Sequence, residues 1–292
     1  MKRNLKKYVF IYILLIPVIL YFIVFSYTPL IMGIIQSFQA SRLMGDVEWV
    51  GFDNYRIVLQ DTSFIRSLWN GAIINLGTMA GSLFLALVTA VGLNEIKNKS
   101  VRSTVQTTSY LPYLFSWTVV GGMWVFLLSP NGFINGIINL FSGPRVLFMT
   151  RANLARGIMI FTGIWKNVGY HTVLFIAAIV SINPNLFEAA QIDGASREKQ
   201  IRKIIFPELV PTLKVLIILS MMGLFTNFDQ ILVMGNPAII DRIRTPMFYV
   251  YENGIERFNI GLATAASVIV LLLTMILTAI VSKLLSGKWR IR

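Results

Sequence analysis

EAAQIDGASREKQIRKIIFP, residues 188–207, is a polar interruption between two strongly apolar segments. Glu188, Asp193, Arg197, Glu198, Lys199, Arg202 and Lys203 lie inside it, and Glu208 and Lys214 follow at once. The apolar runs on either side end near Ile182 and resume near Leu216. The turn chemistry is local. Asn183-Pro184 supplies a helix start, with Asn as cap and Pro at the first helical position. A short helix then runs from Asn185 to Gln191, and Asp193-Gly194 turns the chain, Gly being free to take positive φ. Ser196 caps a second helix that carries through Ile205, and Pro207 and Pro211 mark the approach to the next apolar run. By spacing alone two readings stand open: an amphipathic hairpin lying on lipid headgroups, or a docking element for a partner in water.

Outward from this stretch the chain is 292 residues, 55% hydrophobic and 13% charged. Soluble domains carry about 25% charged residues. Apolar runs of about 20 residues recur, each long enough for a hydrocarbon core about 30 Å thick. The fold class is therefore an all-α membrane protein. The runs lack the alternation of barrel strands. With no cysteine there is no disulfide, thiolate metal site or Cys nucleophile,. The net charge of +13 is read as positive-inside bias rather than nucleic-acid binding.

Six spans are expected, at about 8–38, 70–93, 110–128, 156–182, 213–234 and 260–285, with the polar region at 183–212 between spans four and five. The first is too long for a cleaved signal segment, and Pro17 and Pro29 are expected kinks. Residues 40–69 are mixed and amphipathic, with Trp49 and Tyr55 suited to the headgroup level. Gly121-Gly122 permits close helix contact. Residues 129–153 and 235–258 read as external loops. No internal repeat or low-complexity tract divides residues 1–292, which read as one membrane domain.

An even number of spans puts both termini on one side. Of the 26 Lys and Arg, 16 fall in segments on that side: Lys2, Arg3, Lys6, Lys7, Lys97, Lys99, Arg102, Arg197, Lys199, Arg202, Lys203, Lys214, Lys283, Lys288, Arg290 and Arg292. Nine fall on the other (Arg42, Arg56, Arg66, Arg145, Arg151, Arg156, Arg242, Arg244, Arg257), and Lys166 lies within a span. The bias places both termini, and residues 188–207, in the cytoplasm.

Glu188-Ala189-Ala190, Asp193-Gly194-Ala195 and Pro207 resemble the EAA signature of permease subunits of binding-protein-dependent ABC importers. Phe206 stands where the family has Leu, and Asp193-Gly194-Ala195 is the form typical of carbohydrate permeases. Trp49 to Tyr55 (WVGFDNY), Leu93 to Ile96 (LNEI), Tyr110 to Pro112, Ser116-Trp117, Ile164 to Lys166, Phe228 to Gln230 and Tyr249 to Tyr251 are similar to the branch for complex oligosaccharides and polysaccharides. Gly235-Asn236-Pro237 departs from the usual Gly-Gly-Pro. The resemblance implies one translocation half beside a second permease subunit in a heterodimer. It further implies two copies of a cytoplasmic ATPase, a solute-binding protein outside, and residence in the bacterial cytoplasmic membrane. The first short helix would seat in the ATPase, with Glu188 pairing a basic residue there, Gly194 allowing the reversal and Asp193 capping or bracing it. No phosphate-binding GxxxxGK[ST] occurs, and Gly287-Lys288-Trp289 does not satisfy it,. ATP and Mg²⁺ would thus belong to the partner, and this chain would be no enzyme and hold no cofactor.

Two charges fall within expected spans. Counting along ideal helices, Lys166 lies about 15 Å from Arg156 and Asp229 about 8 Å from Met234, both in the outer half. Buried charge in a membrane marks function by default, and these two can pair. They either line or close the external part of a path, or tie two helices together. Lys166, Asn167 and Tyr170 share a helical face, and Trp165, Trp124, Asn227, Phe225 and Phe228 are further candidates for a wall that takes sugar hydroxyls and apolar C–H faces. His171, the only histidine, is read as a satisfied polar residue, and no metal site is expected. The rival class is an ion-coupled secondary transporter working through Lys166 and Asp229. No HExxH, GxSxG or carboxylate pair at membrane depth supports an intramembrane enzyme.

Overall fold

The computed structural model describes residues 8–40 and 47–287. Lys2, Arg3, Lys6, Lys7, Arg42, Lys288, Arg290 and Arg292 lie outside the described residues. Helix α1 (Val9–Phe22) passes through a π-helical turn (Ile23–Tyr27) into α2 (Thr28–Gln36). Pro17 sits inside α1 without ending it. At Pro29 the chain widens instead. A proline ring collides with the carbonyl four residues back, and the preceding π turn, closed by Thr28 N–H to Ile23 O, relieves it,.

A two-residue antiparallel ladder, β1 (Gln39–Ala40) with β2 (Glu48–Trp49), leads to α3 (Asp53–Gln60) and α4 (Thr62–Glu95). Then come α5 (Lys99–Leu114), α6 (Trp117–Leu127), α7 (Phe133–Leu140) and α8 (Ala152–Val180). The polar region forms α9 (Pro184–Ile192) and α10 (Arg197–Gln200). A π turn (Ile201–Ile205) joins α10 to α11 (Phe206–Met222). Short helices α12 (Asp229–Met234), α13 (Ile240–Ile243) and α14 (Pro246–Tyr251) precede α15 (Ile260–Ser286).

Among the described residues, five helical stretches are long and apolar enough to cross a membrane: Val9–Gln36, Thr62–Glu95, Ala152–Val180, Arg197–Met222 and Ile260–Ser286. Three expected spans change. The second starts at Thr62 instead of near residue 70. The third is a broken pair, α5 and α6 meeting at 100°. Phe115 is extended (φ −81°, ψ 146°), and Ser116 begins a new helix by accepting Val119 N–H on its hydroxyl. The fifth starts earlier and ends at Met222, because Gly223 to Phe228 leave the helix before α12. Residues 235–258 are no simple surface loop either, since Ile239, Ile243, Thr245 and Tyr249 are buried.

The chain divides into two compact units, Met1–Thr62 with Tyr249–Leu271, and Ser63–Phe248 with Leu272–Arg292. In the first, Phe38 stacks on Trp49 at 5.6 Å and meets Phe52 edge-on. Asn54 Nδ2 donates to the carbonyls of Ser37 and Gln39, both at 2.9 Å, and Ser37 and Tyr55 share a 2.6 Å hydroxyl hydrogen bond. Trp49 and Tyr55 thus belong to an aromatic cluster of this unit. Tyr249 donates to Asp61 Oδ2 at 2.7 Å. Burial, reinforced by that carboxylate, pushes its phenol above the usual range,.

The second unit is built on α4, α8 and α11, whose Leu83, Ala86, Ala90, Phe175, Ile176 and Leu209 form a close-packed core with Ile205 of the π turn before α11. Glycine sets the approach of its helices. A Cβ at Gly169 would collide with the Ser109 carbonyl, so α5 and α8 cross at backbone contact. At Gly121 it would lie 2.8 Å from Val233, whereas Gly122 faces open space. Only the first of the expected Gly pair makes the contact. Gly169→Val is expected to destabilise the purified chain by about 1–3 kcal/mol through overpacking, while Gly122→Ala leaves stability level or higher. Thermal unfolding in detergent checks both, and equal effects would contradict the crossing.

Candidate functional site

At one end of the second unit, the polar region folds as its turn residues dictate. Asn183 Oδ1 accepts Asn185 N–H at 3.0 Å, and Pro184 opens α9. At the other end Gly194 takes φ +72°. Ala195 N–H reaches Ala190 O at 2.8 Å, and Gly194 N–H reaches Gln191 O at 3.0 Å. Those two bonds are the Schellman pattern, which satisfies carbonyls a helix end leaves bare. Asp193 contributes its backbone N–H to Ala189 O, and its side chain is exposed. Ser196 accepts Lys199 N–H on its hydroxyl.

The second short helix does not stop at Ile205. It runs unbroken from Arg197 to Met222, because the π turn before Pro207 moves the obstructing carbonyl aside, as at Pro29,. No residue of α9 is buried. Glu188 and Ala189 are exposed and Ala190 half-buried, while Phe187 packs on the core. The helix meets the bundle through Phe187, with Ala190 partly covered, and shows most of the rest of its surface.

Toward the other end of α8, the expected wall residues separate into two groups. Trp124 stands edge-on to Phe161 and Trp165, with ring centres 5.3 and 5.5 Å away. It borders an apolar cavity of about 430 Å³ with Leu128, Phe148, Leu154 and Phe161. Tyr170 stacks on Tyr113 at 4.5 Å, and Asn167 Nδ2 donates to Gly163 O of its own helix. The second group lies at the α11–α12 break. Asn227 Nδ2 donates to Gln230 Oε1 at 2.9 Å, and Phe228 approaches Phe248 at 6.3 Å. Gln230, which is buried, links this group to α8 through Met159 O and Thr162 Oγ1.

The expected pairing of Lys166 with Asp229 is corrected. Lys166 is buried, and its Nζ donates to the carbonyls of Pro112 (3.2 Å), Tyr113 (3.0 Å) and Phe115. An ammonium has three donors, and all three are occupied at the C-terminal end of α5, where helix carbonyls favour a cation. The rings of Tyr113 and Trp117 flank it at 5.6 and 5.7 Å. Asp229 is exposed in the first turn of α12, where a carboxylate suits the helix N-terminus,. His171 is corrected too: it is buried, and its Nδ1 has no hydrogen-bond partner among the described residues.

Residues outside the expected set complete the arrangement. Asn75 Nδ2 donates to Leu224 O at 2.6 Å, and Thr245 donates to Asn227 O. Asn70 Nδ2 donates to Asp241 O and Arg244 O, while Arg156 donates to Asn70 Oδ1 and Arg242 O. Apart from Asn70 Oδ1, each acceptor is a backbone carbonyl outside the long helices. Nothing local in Asn70, Asn75 or Arg156 announces such a partner. Lys166→Met would strip three carbonyls of their donor at about 1–3 kcal/mol each when no replacement is found, so its unfolding midpoint in detergent is expected to fall sharply. Asp229→Asn is expected to leave the midpoint unchanged.

A family model described as the binding-protein-dependent transport system inner membrane component matches residues 82–290. Protein LplB of Bacillus subtilis (strain 168) is 33% identical, covering 89% of this chain and 83% of that protein. The polygalacturonan/rhamnogalacturonan transport system permease protein YteP of the same organism is 28% identical, covering 97% and 90%. A chain from the crystal structure of a bacterial ABC transporter involved in import of the acidic polysaccharide alginate is similar at TM-score 0.89 and 29% identity, covering 98% of this chain and 99% of that one. The chain belongs to the binding-protein-dependent transport system inner membrane components, the permease subunits of ABC importers.

Proposed function

We propose that this chain is the permease subunit of an ATP-driven importer for an oligosaccharide or a polysaccharide fragment. It forms half of the path beside a second permease in the bacterial cytoplasmic membrane, with both termini and α9 in the cytoplasm. The observation that carries the reading is the exposure of α9. A helix capped at both ends, with no buried residue of its own, keeps its shape while leaving its surface to a partner. Glu188 presents a carboxylate on it, Ala189 and Ala190 allow close approach, and Asp193, Gly194, Ala195 and Pro207 shape the return into α11.

ATP and Mg²⁺ are then held by two copies of a cytoplasmic ATPase, and a solute-binding protein delivers sugar from outside. Similar proteins named for polygalacturonan/rhamnogalacturonan transport and for alginate import support a carbohydrate cargo. Trp124, Trp165, Asn227, Phe228 and Asp229 are the proposed path residues. Lys166, Asn167 and Tyr170 belong to the same proposed set, and Lys166 and Tyr170 also tie α8 to α5. An ion-coupled mechanism through Lys166 and Asp229 fits less well, since the lysine donors are already occupied by carbonyls.

Glu188→Lys, which reverses charge on an exposed surface, is expected to abolish uptake and binding-protein stimulation of ATP hydrolysis while leaving the chain in the membrane. Uptake and hydrolysis assays on proteoliposomes holding the complete transporter measure this. Unaltered transport would remove α9 from the coupling role.

A further inference from the structure

We infer that the ion pair between Glu95 and Arg197 is a strut that fixes α9 against the end of α4, making the two positioning residues for coupling. The inference rests on the coupling role proposed for α9 and names residues outside its signature.

The geometry is specific. Arg197 Nε donates to Glu95 Oε2 at 2.8 Å and Nη2 to Oε1 at 2.7 Å. Such a two-bond fork fixes the plane of the pair as well as its length. The remaining nitrogen, Nη1, donates to Gln200 Oε1 at 3.0 Å. Buried Gln200 in turn donates to Ala195 O, just past the Gly194 turn. The guanidinium also lies over the ring of Phe187, 5.8 Å from its centre. One side chain therefore joins the last residue of α4, the aromatic anchor of α9, the start of α10 and the turn between them.

Without this junction α9 would be held by Phe187 and two tight turns. A push on it could then be absorbed by bending at Ser181–Pro184 or Asp193–Ser196. With the fork in place, α9 and the C-terminal end of α4 move together, and α4 enters the core through Leu83, Ala86, Ala90 and Leu93. Both side chains are partly exposed, at 44% and 37%, so the pair adds little stability. Its value is directional. The Arg244–Asp241 pair, by contrast, spans three positions of one turn.

The test uses the complete transporter in proteoliposomes, with Glu95→Arg, Arg197→Glu and the double reversal. The probe is whichever oligosaccharide the wild type takes up best from a labelled panel of oligogalacturonides, alginate oligomers and neutral maltooligosaccharides. The readout is sugar moved per ATP hydrolysed, normalised to assembled complex. Each single reversal is expected to lower that ratio about 5- to 10-fold, the scale of a modest coupling energy. The double reversal should restore it to within about 2-fold, as a paired interaction requires. Should the reversals fail to assemble, Arg197→Lys keeps the charge and loses the fork. It is expected to assemble normally with a ratio lowered about 2- to 5-fold. A wild-type ratio in the single reversals or in Arg197→Lys, or no recovery in the double reversal, overturns the strut. Glu188→Lys in parallel separates the two claims. If it alone loses transport, the strut fails and the coupling role of α9 stands, whereas normal transport in it removes the coupling role itself.

Discussion

Every backbone carbonyl freed at membrane depth must find a donor, because hydrocarbon offers none. That constraint organises the larger unit of this chain. Its helices are interrupted at Phe115–Ser116, at Gly223–Phe228 and around α13, and each interruption is repaired by a polar side chain. Lys166 serves the first, Asn75 and Thr245 the second, and Asn70 with Arg156 the third. Four of these five donors stand on α4 or α8. Two long helices thus act as poles, and the broken segments lean on them. The charge that looks most exceptional in the sequence, Lys166, is a structural donor held by three carbonyls.

The same poles connect the two ends of this unit. Helix α8 has 29 residues, about 43 Å at 1.5 Å per residue, so the Arg156 cluster and α9 lie a membrane thickness apart. Phe175, Ile176 and Ile179 of α8 pack with α4 and α11 directly beside the exposed helix. A displacement of α9 enters a close-packed core, which transmits strain instead of absorbing it. On the proposed function, the breaks in α5–α6 and α11–α12 are the places where such a displacement would become a change in the path.

What the sequence made legible was local. Asn183, Pro184, Gly194 and Ser196 act through residues two to five positions away, and their caps and turn form as those residue types require. The apolar runs were equally plain, since hydropathy alone marks three of the five long candidate spans closely. The ends of broken spans were not. Ser116 is a standard cap residue, but the hydropathy of its neighbours runs straight through the 100° bend. Gly223 to Phe228 lie inside an expected span, where Asn227 and Asp229 read as path lining and not as a helix break. Least legible were the partners of polar groups. Depth arithmetic brought Lys166 and Asp229 to similar levels, yet rotation about the helix axes decides contact, and Lys166 faces α5. The Glu95–Arg197 pair spans 102 positions, and nothing in either residue's neighbourhood names the other.

The account is tested most directly by the energy source for uptake. Proteoliposomes carrying this chain with its second permease, ATPase and binding protein would be given either internal ATP or an imposed proton or sodium gradient, and accumulation of labelled oligosaccharide followed. The permease reading predicts accumulation with ATP that persists when ionophores collapse every gradient. Accumulation driven by a gradient in vesicles lacking the ATPase would contradict it.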